Sequence, residues 1–169
     1  MRPRSGSPPT LDRTWSRRGC QPEIPTRGER HTQKVLGAVR VPDGDFVWRH
    51  QTESFNAQTC LSFVEGDLLP HFYRRRHRGF LIQANASYHK KPEVLEFFAR
   101  HARHREGFPL PAYSPEFNAT ERLWHYTRVG SPHNRYCDCP AALCQSLFRT
   151  FRDLQKHPEQ IQGLLAPFS

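Results

Sequence analysis

Proline occupies fifteen of the 169 positions and interrupts the apolar runs before any becomes long. Its fixed φ and missing N–H force short elements joined by many loops. No stretch approaches the roughly eighteen apolar residues of a membrane span. The first residues are rich in Arg and Pro without an apolar core, so no secretory leader is expected. A chain of this length suits one domain with its own core. A cytoplasmic or nucleoid-associated protein is the expectation.

Charge narrows the partner class. The net charge is +9 and the isoelectric point near 9.8, with a mean hydropathy of −0.78. Residues 1–40 carry nine Lys or Arg against three Asp or Glu. Further basic clusters stand at Arg74, Arg75, Arg76 and Arg78, and between Arg100 and Arg105. Such a chain is drawn to polyphosphates because neutralising phosphates releases counterions. Any one cluster is equally well read as a solvated face, but nucleic acid is the best partner class.

The five cysteines (Cys20, Cys60, Cys137, Cys139, Cys144) form an odd set without a CxxC pair and read as reduced thiols. His133, Cys137, Cys139 and Cys144 could be grouped as zinc ligands, but the CxC spacing and helical surroundings argue against it.

Residues 1–14 lack hydrophobic periodicity and are expected to form an irregular basic tail, leaving 15–169 as the domain. Lys34–Val41 is β-branched and apolar, Pro42–Asp45 supplies a turn, and Phe46–Thr52 completes a hairpin. Asn56 is placed to cap a helix reaching about Phe72, with Gly66 a mild weakness in it. A short strand over Phe80–Gln83 precedes a helix from Pro92 to about His104. A brief strand over Phe108–Leu110 follows, then helices near 120–128, 141–155 and 158–165. Strands first and strand–helix–strand afterwards indicate an α/β domain.

Two segments carry more specific information. Residues 81–90 read LIQANASYHK, and residues 110–124 read LPAYSPEFNATERLW. They resemble the second and third signature blocks of mariner-like insertion-sequence transposases, the DDE superfamily endonucleases. There a strand ends in Asp-Asn-Ala-x-x-His, and a Pro-Tyr-Ser-Pro-Glu loop opens a helix on an acid. RTWSRRG at 13–19 and HTQKVLGAV at 31–39 are similar to flanking segments of the same family, so the likeness covers roughly residues 9–168.

The resemblance implies an RNase H-like mixed sheet flanked by helices, on which three acids converge. They hold two Mg2+ or Mn2+ ions for in-line attack on a phosphodiester. The third acid falls on Glu121. The second falls on Ala84, which has no oxygen to offer. The first falls at Met1 or upstream, and no acid precedes Asp12. The first, central strand is therefore expected to be missing, and the metal ions are not expected to bind tightly. DNA and other transposase subunits are the partners implied, with no membrane and no small-molecule substrate.

Asn85 and His89 fall on positions lining the family's active site, and either suits a structural role in the turn equally well. Asn118 stands near a helix N-cap, and Trp124 is expected in the core. Lys90 and Lys91 would meet passing DNA phosphates. The reading is a catalytic domain with one of three acids, inactive by itself. The alternative is a module that binds DNA or transposase subunits without catalysis. A third possibility, an active nuclease that borrows the strand from another polypeptide, is opposed by Ala84.

Overall fold

A computed structural model of the protein describes Arg18 and residues 32–72, 79–102, 105–130 and 140–166. The expected tail over 1–14, the run Arg74, Arg75, Arg76 and Arg78, and the His133, Cys137 and Cys139 group lie outside these described residues.

The expected hairpin is present. β1 (Lys34–Val39) and β2 (Phe46–Gln51) pair antiparallel, with Val39 opposite Phe46 and Lys34 opposite Gln51. In its turn the Arg40 guanidinium donates to the carboxylates of both Asp43 and Asp45. Gly44 takes a φ of 72°, and a Cβ there would collide with the carbonyl oxygen of Pro158. The turn thus needs glycine both for its left-handed backbone and for its close approach to the C-terminal helix.

Side chains alternate across a strand, so the hairpin has two apolar faces. Val35, Val39, Phe46 and Trp48 meet α4 (Ala119–Gly130), α5 (Pro140–Lys156) and α6 (Pro158–Leu165). That cluster buries Leu123, Phe151, Leu154, Ile161 and Leu165 almost completely. Each such side chain stabilises the fold by about 1.5–3 kcal/mol relative to exposure. Leu36, Ala38 and Val47 face the other way, toward Phe63, Leu68, Leu69 and Phe72.

Those last residues belong to one rod, formed by α1 (Ala57–Phe63), a π-helical segment (Val64–Leu68) and α2 (Leu69–Phe72). Asn56 caps it reciprocally: its Oδ1 accepts from the Thr59 N–H at 2.8 Å, and Thr59 Oγ1 accepts from the Asn56 N–H at 3.0 Å. The sequence located both ends of the rod but gave no sign of the π segment. Arg49 of β2 pairs there with Asp67.

β3 (Gly79–Gln83) and β4 (Arg105–Pro109) pair in parallel through α3 (Pro92–Arg100). Pro92 opens α3 as expected, but the helix stops at Arg100 rather than near His104. The His101 ring terminates it, its Nδ1 lying 2.7 Å from the Phe97 carbonyl oxygen. β4 correspondingly begins at Arg105, ahead of the expected Phe108. Leu81 of β3 packs on the same cluster as Leu36 and Ala38 of β1.

The result is an α/β arrangement of small sheets and helices, with helices on both faces of the β1–β2 hairpin. Among the described residues the strands form two separate pairs, β1–β2 and β3–β4. No described strand pairs with the second edge of β1 or of β3. No helix among the described residues is long and apolar enough to cross a membrane.

Candidate functional site

Because β3 and β4 run parallel, their C-terminal ends lie side by side and the loops leaving them face each other. The Leu110 N–H donates to the Gln83 carbonyl at 2.8 Å, carrying the pairing one step past the strands. Beyond β3 the chain turns tightly, with the Ala86 N–H on the Ala84 carbonyl at 2.8 Å. A 3-10 turn over Ser87–Lys90 follows. Beyond β4 the loop passes a second 3-10 turn, Pro115–Phe117, before α4. Between the two loops lies a cavity of about 470 Å3. Residues 84–88 and Lys90 line one side, and residues 110–115 and Asn118 the other.

Ala84, Asn85, Lys90 and Asn118 thus share one cavity. Asn118 also starts α4: its Oδ1 accepts from the Thr120 N–H at 3.2 Å, and its carbonyl accepts from the Glu121 N–H at 2.9 Å. Glu121, half-buried, therefore lies in the first helical turn beyond the rim and does not itself line the cavity. The helix is seated by Trp124, whose ring meets Phe46 and Phe151 edge-on. That ring covers Gly37 so closely that a Cβ there would stand 2.7 Å from it.

Asn85 Oδ1 is buried and accepts no hydrogen bond among the described residues. Such an orphaned oxygen costs about 1–3 kcal/mol. His89 packs against α1, its Nδ1 3.5 Å from the Sγ of Cys60. Burial pushes the imidazole down to about 4 and the thiol up to about 11. Both are neutral near pH 7, so the direction of the contact follows the ring's tautomer, and Cys60 is no thiolate nucleophile. Lys90 and Lys91 are exposed, and neither forms an ion pair with another described residue. Tyr113 has a φ of 59° and is 97% exposed, a left-handed backbone that turns its ring outward.

The donor set does not suit a pair of divalent ions. Mg2+ and Mn2+ require several hard, mostly anionic oxygens. At the positions that the motif resemblance points to, this chain offers the Glu121 carboxylate and the neutral Asn85 amide, with a methyl at position 84. Among the described residues no group of three His, Cys, Asp or Glu is arranged to hold a metal ion.

Sequence reasoning missed two features here. The Cys60–His89 contact joins residues 29 positions apart with no motif linking them. The left-handed backbone of Tyr113 falls on a residue type that gives no sign of it.

The model of the DDE superfamily endonuclease family matches residues 4–144. No curated protein matches the chain by sequence. Among solved structures, the Mos1 strand transfer complex is similar at 19% identity and a TM-score of 0.58, over 94% of this chain and 50% of that one. The Mos1 mariner paired end complex with Mn is similar at 16% identity and a TM-score of 0.60, over 93% and 49%. The chain spans about half the length of these relatives. The fold they share with it is the RNase H-like α/β fold inferred from the motifs. With the family match extending over most of its length, the chain belongs to the DDE superfamily endonucleases.

Proposed function

We propose that this chain is a non-cleaving derivative of a transposase that retains contact with DNA. The observation that carries the reading is Ala84, a methyl directly after β3 at the position that the motif resemblance assigns to the family's second metal-binding acid. Two divalent ions repel each other and are held together only by shared carboxylates. With Glu121 as the remaining family acid, the transition-state charge of phosphodiester cleavage goes unneutralised, a loss of several kcal/mol. Lys90, Lys91 and the overall charge of +9 favour a polyphosphate partner. The reading fits a cytoplasmic protein with access to DNA.

A second reading, binding to intact transposase subunits, draws support from the edges of β1 and β3 that no described strand pairs. An open edge is a template for pairing with another chain.

The test is to incubate the full chain with supercoiled plasmid in Mg2+ and in Mn2+, and to measure duplex binding against salt. Binding that weakens steeply with salt, with no nicked product, is the expected outcome. Metal-dependent nicking that co-purifies with the chain through successive columns would overturn it.

A further inference from the structure

We propose that the cavity between the β3 and β4 loops is a metal-independent phosphate site, taking a backbone phosphate of DNA directly on Lys90. The proposal deepens the DNA-binding reading and rests on it.

Among the described residues no carboxylate lines the cavity; its walls are alanines, prolines, hydroxyls and amides, with one ammonium. Ser87 and Asn118 can donate hydrogen bonds from the two sides. Lys90 has no ion-pair partner among the described residues, so its charge is not already neutralised. Asn85 Oδ1 is a neutral amide oxygen closed off from solvent, so it adds no net negative charge to the wall. An acid at position 84 would reverse this balance. It would place a fixed negative charge in the wall, and a phosphate could then enter only with a cation between them. With alanine at 84 that repulsion is gone, and the site changes from one that collects cations to one that accepts an anion.

The test uses the full chain and a fluorescently labelled duplex, with affinity measured across a salt series in EDTA and in Mg2+ at matched ionic strength. The variants are Ala84→Asp, Ala84→Asn and Lys90→Gln, each first verified as folded by circular dichroism. Ala84→Asp is expected to weaken binding in EDTA by about three- to tenfold more than Ala84→Asn does, because the two differ by the charge. Mg2+ is expected to restore most of that difference. Lys90→Gln should lower the salt slope by about one, the signature of one lost phosphate contact. Equal affinities for the Asp and Asn variants in EDTA would overturn the proposal, as would an unaltered chain that binds only with Mg2+.

If the unaltered chain binds no DNA at all, it is the DNA-binding reading that fails, and inorganic phosphate then decides the site alone. Amide NMR shifts over Ser87–Lys90 on titration, absent in Lys90→Gln, would sustain the site. Their absence in the unaltered chain would remove it.

Discussion

The thiol of Cys60 on α1 and Nδ1 of His89 in the turn after β3 lie 3.5 Å apart, so the turn bordering the candidate site is held from behind by the first helix. Its pH consequence has a definite sign. Unfolded, His89 takes up a proton near pH 6.5; folded, burial delays this to about 4. Between these values the unfolded chain binds more protons. The contribution of His89 is therefore complete above pH 6.5 and is lost as pH falls toward 4, on the order of 3 kcal/mol in all. Urea unfolding from pH 7 to pH 4 should show this decline. The His89→Gln variant should show a shallower one, the remainder coming from carboxylates. Identical slopes would mean that the ring is solvated in the folded state.

Gly37 and Trp124 set the position of the helix that carries Glu121. A methyl at Gly37 would stand 2.7 Å from the indole, in a core that also holds Phe46 and Phe151. Gly37→Ala is expected to cost about 1–3 kcal/mol, the range for overpacking. It should also alter the near-ultraviolet circular dichroism of the tryptophans. In a Trp124→Leu background the same substitution should cost less, because the clashing ring is absent; a fully additive pair would place the strain elsewhere.

The hairpin, the Asn56 cap and all three C-terminal helices were legible in the sequence because each rests on local chemistry. Pro42–Asp45 supplies the turn, Asn56 and Thr59 cap each other, and apolar residues repeat at helical spacing. The end of α3 was not legible, because the His101 ring stops the helix there and its pattern continues past it. The π segment was hidden for a similar reason: nothing in Val64–Leu68 distinguishes it from α-helix. The cavity at Ala84 and Asn118 depends on the parallel register of β3 and β4, a non-local property that neither loop encodes alone.

Phe80, Ile82 and Phe108 lie on one face of the β3–β4 pair at 65%, 57% and 44% exposure, and the two phenyl rings stand 5.8 Å apart. An exposed apolar face beside a strand edge that no described strand pairs favours self-association. The isolated chain is expected to bind a hydrophobic dye, scatter light at micromolar concentration and unfold over a broad temperature range. Replacing Phe80 and Ile82 together with Thr keeps β propensity while removing apolar area, and should reduce both dye binding and scattering. A monomer with a sharp thermal transition would show instead that this face is covered.

Restoring an acid at position 84 separates loss of ligands from loss of fold. Ala84→Asp returns one carboxylate to the end of β3, where together with Glu121 it makes two. Two carboxylates leave a pair of divalent ions short of anionic oxygens. The single variant is therefore expected to bind Mn2+ more tightly than the unaltered chain, as isothermal calorimetry would register. It should still give no nicked plasmid, because tighter cation binding does not by itself position a second ion against the leaving oxygen. If Ala84→Asp alone nicks DNA in Mn2+, a third ligand is present, and the assignment of Ala84 and Glu121 as two of three positions must be redrawn around it.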